Sequence, residues 1–167
     1  MADLRDLMTR LGFEDGQSLL NSGNLVFRAR AKSTTDLERV LEMETKKRLG
    51  LETQYFVRTV DQWKDVVAKN PMPKEAERDP GHLVVGCLKD APEAKAEKAL
   101  NAVIPGREVA HVIGHHVYIY YPDGIGTSKL TAALIDRALG TRGTARNWNT
   151  VMKLGGVTGR MSENSRR

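Results

Sequence analysis

Residues 107–121 read R-E-V-A-H-V-I-G-H-H-V-Y-I-Y-Y. Two runs of alternating side chains, Arg107–Ile113 and His116–Tyr121, are broken by Gly114-His115. A side-chain period of two on either side of a glycine-containing turn predicts a β-hairpin. On its second strand Val117, Ile119 and Tyr121 share one face, and His116, Tyr118 and Tyr120 share the other.

The order outward from this hairpin sets the fold class. Upstream, His82–Leu88 is an apolar strand and Pro92–Val103 a helix with proline in its first turn. Downstream, Lys129–Leu139 is a helix with Leu130, Ala133, Leu134 and Ala138 inward. Arg142–Asn147 follows as a short strand and Trp148–Leu154 as a terminal helix. The second half is therefore β-α-β-β-α-β, the ferredoxin-like order.

The first half repeats the plan without its first strand. Leu4, Leu7, Met8 and Leu11 have helical spacing and Gly12 stops the helix. Gln17–Leu20 and Leu25–Arg30 read as strands around the turn tetrapeptide Asn21-Ser22-Gly23-Asn24. Ser33 or Thr34 caps a helix facing inward through Leu37, Val40 and Leu41. Thr53–Thr59 reads as a third strand, and Asp61 caps a short helix through Trp63, Val66 and Val67. The expected class is α+β, an α/β sandwich of two ferredoxin-like βαββαβ halves, the first lacking its initial strand. The expected boundaries are 1–69, a proline-rich linker at 70–81, and 82–167.

The chain has 167 residues, 40% hydrophobic and 28% charged, a globular composition. No apolar run is long enough for a bilayer, which argues against a membrane partner. The single Cys87 lies in the apolar run Leu83–Leu88. A lone cysteine fits a reducing cytosol, so the expected localisation is cytoplasmic.

Net charge is +5, and the excess is local. Residues 1–70 hold 12 basic and 11 acidic side chains, residues 71–127 hold 6 and 8, and residues 128–167 hold 8 and 2. A basic C-terminal stretch favours an anionic partner, either nucleic acid or a phosphorylated small molecule. The plain alternative is a solvated face with a basic tail.

Two clusters could hold an anion. Asp123–Lys129 would place Gly124, Gly126, Thr127, Ser128 and Lys129 at a helix N-terminus, a set of backbone N–H groups, hydroxyls and an ammonium. It is not a Walker A loop, whose lysine precedes the hydroxyl. Arg142, Arg146 and Asn147, with Trp148 beside them, could contact phosphates or bases. The structural alternatives are an ordinary turn, a core tryptophan and a capping asparagine. His116, Tyr118 and Tyr120 could stack bases on an open sheet face, or pack inside. His111, His115 and His116 lie on one hairpin, but no acidic or cysteine ligand accompanies them at metal spacing, so neither a metal nor a cofactor is expected. No Ser-His-Asp, Cys-His or paired-carboxylate arrangement is visible. A binding module for a polyanion through the C-terminal stretch is the leading reading. An enzyme acting on a phosphorylated or nucleotide-like substrate at 123–129 is the alternative.

Four segments carry a family resemblance: N-S-G-N-L-V-F at Asn21–Phe27, R-T-V at Arg58–Val60, P-D-G-I-G-T-S-K-L at Pro122–Leu130 and T-A-R-N-W-N-T-V-M-K-L at Thr144–Leu154. The chain resembles the bacterial domain-of-unknown-function family numbered 1697. The resemblance implies two ferredoxin-like halves and supplies no catalytic residues. It also implies a strand and a glycine-rich loop ahead of the helix that opens this sequence. A shortened reading frame is the expectation that follows, with a homodimer as one way to supply the strand.

Overall fold

The structure of the protein, a computed structural model, describes residues 2–19, 23–30 and 33–164. The chain forms two compact units, one of Met1–Asp61 with Leu154–Arg167 and one of Gln62–Lys153.

The unit of residues 62–153 is built on four antiparallel strands. They are numbered in chain order with two earlier ones: β3 (Leu83–Leu88), β4 (Val109–Ile113), β5 (His116–Tyr120) and β6 (Gly143–Asn147). Their order is β4-β5-β3-β6, the ferredoxin-like arrangement expected from the β-α-β-β-α-β pattern. Register pairs Val84 with Ile119 and Asn147, and Val109 with Tyr120.

Both faces of this sheet are covered. Val84, Leu88, Ala110, Val117 and Ile119 pack with Ala96 and Leu100 of α5 (Ala96–Val103) and Leu139 of α6 (Ala132–Leu139). On the other face Leu83, Val85 and Tyr118 pack with Val66 of α3 (Val60–Ala68), Met72, and Trp148 and Val151 of α7 (Trp148–Asn164). A strand buried on both faces needs a continuous apolar run, and all six residues of β3 are buried. Two polar tips find partners there: the Tyr118 hydroxyl donates to the Val66 carbonyl at 2.8 Å, and Trp63 Nε1 to the Val151 carbonyl at 3.1 Å.

Several expectations change here. The stretch 70–81 is not featureless: it holds α4 (Pro73–Arg78), and Met72 is buried in the core just described. Helix α6 starts three residues later than Lys129, because Thr131 accepts a hydrogen bond from the Leu134 amide and takes the cap. Ala133 is exposed as a result, and Ile135 packs on the core with Leu134. Helix α5 starts at Ala96 and not at Pro92. Asp61 lies in the first turn of α3 and does not cap it.

In the other unit, α1 (Ala2–Arg10) buries Leu7 and Met8. The hairpin β1 (Glu14–Leu19) and β2 (Asn24–Arg28) forms a two-stranded sheet. Its register slips between Glu14 and Gln17, where Asp15 has a φ of +55°. The Asp15 carboxylate accepts from Arg28 Nε at 2.7 Å, and the same guanidinium donates to the Met161 carbonyl. Leu20 and two residues of the expected turn, Asn21 and Ser22, lie outside the described residues. Helix α2 (Thr34–Leu49) is capped by Ser33 and ends at Gly50 with a φ of +65°.

Thr53–Thr59 is not a strand of this sheet. Its backbone is tied to α2: the Val57 amide donates to Glu38 Oε1 at 2.7 Å, and the Tyr55 amide to Glu42 Oε1 at 3.0 Å. The Tyr55 hydroxyl lies 2.8 Å from Thr45 Oγ1. Two residues of extended chain advance about 6.6 Å and four residues of helix about 6 Å, so alternate amides meet successive helical turns.

Candidate functional site

The structure separates the expected anion-binding residues. Tyr121 donates its amide to the His82 carbonyl at 2.9 Å, so the loop after β5 lies at the His82 end of the sheet. Arg142 lies at the other end, where its carbonyl accepts from Lys89 and Gly143 pairs with Leu88. The five residue steps of β3 between them span about 17 Å.

Within the loop, Ile125–Thr127 forms a single 3₁₀ turn. Thr127 Oγ1 donates to the carbonyls of Asp123 (2.7 Å) and Gly124 (3.2 Å). Ser128 accepts from the Leu130 amide and donates to Glu108 Oε1. Both hydroxyls are thus engaged within the protein, and Ser128 faces a carboxylate. Arg107 binds Asp123 through two nitrogens. That hydrogen bond, then charge attraction, holds the Asp123 carboxyl below its ordinary range and raises the Arg107 guanidinium. Gly126 and Lys129 are exposed.

At β6 the two remaining residues point to opposite faces. Asn147 pairs with Val84, and its Oδ1 accepts from the Thr150 amide at 3.0 Å, capping α7. Arg146 pairs with Val85 and donates to Thr144 Oγ1 and the Ala145 carbonyl. Trp148 is a core residue. Of the two readings of the Tyr118 and Tyr120 face, inward packing is what Tyr118 adopts: it is buried, and the Tyr120 hydroxyl donates to Asp79 Oδ2 at 3.0 Å. Among the described residues no three His, Cys, Asp or Glu side chains are grouped to hold a metal. No described helix is long and apolar enough to cross a membrane.

Asp79 and His82, which converge with Tyr120, were not singled out in the sequence. His82 Nδ1 lies 2.9 Å from the same Asp79 Oδ2 that accepts the Tyr120 hydrogen bond. A carboxylate only accepts, so Nδ1 carries a hydrogen, and in the neutral imidazole Nε2 then holds the lone pair. The Nε2 edge faces Gly124, where an added Cβ would lie 3.6 Å away. Gly124 has a φ of +87° and a ψ of 150°, a conformation reserved to glycine. The signal in the sequence was Asp79-Pro-Gly-His82, a carboxylate three residues before a histidine across a turn, where the stretch read as a linker meets the strand His82–Leu88.

The pattern of the family described as "Protein of unknown function (DUF1697)" matches residues 1–118. The chain belongs to this family. The match takes in the N-terminal unit's α1–α2, the whole of α3 and α4, and the sheet strands through most of β5. A solved structure of a conserved bacterial protein from Streptococcus pneumoniae is similar over 95% of this chain and 88% of that one, with a TM-score of 0.70 and 19% identity. At that identity the likeness concerns the fold, which is α+β in both. No curated protein matches the chain.

Proposed function

We propose that this DUF1697 protein is a binding module for a polyanion such as nucleic acid, acting through the basic stretch after residue 128. The supporting observation is how the cations are used. Before residue 128 many are neutralised by neighbours: Arg10 by Asp6, Arg28 by Asp15, Arg48 by Glu44, Lys69 by Asp65 and Arg107 by Asp123. After it, Lys129, Arg137, Arg142 and Lys153 are exposed and enter no ion pair with a described residue.

Their spacing favours a polymer over a single small anion. Lys129 and Arg142 belong to opposite ends of the sheet, and only an extended ligand touches both. The test is binding of a single-stranded oligonucleotide across a salt series. Affinity should fall steeply with salt, because each neutralised phosphate releases counterions. Replacing Arg142 and Lys153 together by alanine should lower the log–log salt slope by about 1.4, the yield of two phosphate contacts on a single strand. A flat salt dependence, or a slope that the double variant leaves unchanged, removes this reading.

A further inference from the structure

The chain Tyr120–Asp79–His82 is arranged as a proton-transfer device, and nothing in the polyanion reading uses it. Its geometry is built from two segments, the turn Asp79–His82 and the end of β5. The His82 amide donates to the Asp79 carbonyl at 3.1 Å, closing the turn that sets the two side chains side by side. The Tyr121 amide holds the His82 carbonyl, fixing that backbone to the end of β5. Tyr120, directly before it, clamps the carboxylate from the strand. The carboxylate oxygen therefore has two donors, and the imidazole has one tautomer. His82 Nε2 makes no hydrogen bond to a described residue, and the His82 side chain is 45% exposed. Beside Nε2 lies Gly124, which carries no side chain.

The surroundings are close to electrically balanced. Asp79 is met by Tyr120 with Arg78 beside it, Arg78 is paired with Glu75 at 3.2 Å, and Asp123 is paired with Arg107. Arg78 and Arg107, the described cations that meet this group, are each engaged by a carboxylate, which disfavours an anionic substrate. From this we infer that His82 is the general base of a hydrolytic site for an uncharged carboxylic ester seated over Gly124. His82 Nε2 takes a proton from water as the water oxygen bonds to the carbonyl carbon. Asp79 stabilises the imidazolium that results. The carbon–oxygen bond to the alcohol then breaks, and the proton on Nε2 passes to the departing alkoxide. The products are an alcohol and a carboxylic acid, with no change of oxidation state. His82 is the catalytic residue, and Asp79 and Tyr120 are positioning residues.

The probe is p-nitrophenyl acetate with the full chain, compared with free imidazole at equal concentration. The wild-type protein should exceed imidazole, and His82→Gln should lower the rate by about a hundredfold, the low end of what a positioned base supplies. Asp79→Asn should lower kcat with KM unchanged, because the imidazole loses the acceptor that orients it, and Asp79→Glu should restore part of the rate; a merely structural role would not separate the two variants. Tyr120→Phe should lower kcat by less than Asp79→Asn does, with KM unchanged. Circular dichroism of each variant confirms that it is folded. Diethyl pyrocarbonate provides a second readout on wild-type protein: His82 should be acylated at Nε2 faster than His111, whose Nδ1 is 3.6 Å from Glu97 and outside hydrogen-bond reach. A wild-type rate no better than imidazole overturns the inference. So does a loss shared equally among His82, His111, His115 and His116 variants.

Discussion

Val57 gives its backbone N–H to Glu38 Oε1 at 2.7 Å, and that carboxylate is buried inside α2. The bond explains why Thr53–Thr59 can lie outside a sheet without leaving its amides bare. An extended segment must satisfy its backbone somewhere. Here alternate amides use glutamate side chains one helical turn apart. Glu38 also lies 3.7 Å from Arg58, and both side chains are under 10% exposed. One carboxylate thus serves an amide and a guanidinium at once.

Glu38→Ala should therefore destabilise the protein by about 3 kcal/mol, the scale for removing one partner of a buried charge pair. Glu42→Ala, which removes the acceptor of the Tyr55 amide, should cost about 1–2 kcal/mol. Urea unfolding of the two variants checks both the size and the ranking. Equal, small losses would mean that water satisfies these amides as well as the glutamates do.

How far the sequence could be read depended on whether a pattern had one physical explanation. The alternation in His116–Tyr121 and the apolar run Leu83–Leu88 admitted only strands, and both are strands, paired antiparallel. Thr53–Thr59 alternates too, but its partners are Glu38 and Glu42 on a helix, and no periodicity announces that. Ser128 and Thr131 are equally able caps by residue type, and capping by Thr131 starts α6 three residues after Lys129. Arg142 and Ser128 are only 14 positions apart, but a helix and a strand direction put them at opposite ends of the sheet. Asp79, His82 and Tyr120 met for the converse reason: Leu83 pairs with Tyr120, a register no local pattern contains.

Gly86 stands on β3 opposite Val117, and a Cβ there would come within 2.7 Å of Val117 Cγ1. Val117 is buried and β-branched, so it has no free rotamer to retreat into. Gly86→Ala should cost about 1–3 kcal/mol as overpacking. The double variant Gly86→Ala with Val117→Ala should recover part of that loss in a denaturation cycle. Strict additivity of the two changes would show that the contact is not the cause.

Burial pushes the Tyr118 and Tyr121 hydroxyls up to about 12, with the nearby Glu108 carboxylate adding to the effect on Tyr121. In the unfolded chain both ionise near their ordinary value of about 10. Between pH 10 and about 12 the unfolded chain therefore holds fewer protons than the folded one. Stability should be fully present below pH 10 and fall as pH rises through that window. Absorbance titration should show these two tyrosines ionising late or only with unfolding. Tyr118→Phe should flatten the stability loss and cost about 1 kcal/mol near neutral pH, because the Val66 carbonyl loses its donor.

Asn147 decides between a cap and a ligand contact. Its Oδ1 accepts the Thr150 amide, the third residue of α7, at 3.0 Å, so its acceptor is spent on the helix start. Asn147→Ala should lower stability by about 1 kcal/mol, the usual cost of an N-cap. Asn147→Asp keeps an acceptor in the same place and adds negative charge at the positive end of the helix dipole, so stability should be retained or raised. The same aspartate inside a phosphate-binding site would repel its ligand. Thermal unfolding and oligonucleotide binding of the Asp variant therefore separate the two roles. Retained stability with retained affinity places Asn147 in the scaffold, with Arg142 and Lys153 left to meet the polyanion. Retained stability with affinity lost about tenfold or more, the scale on which one misplaced charge acts, would return Asn147 to the binding surface.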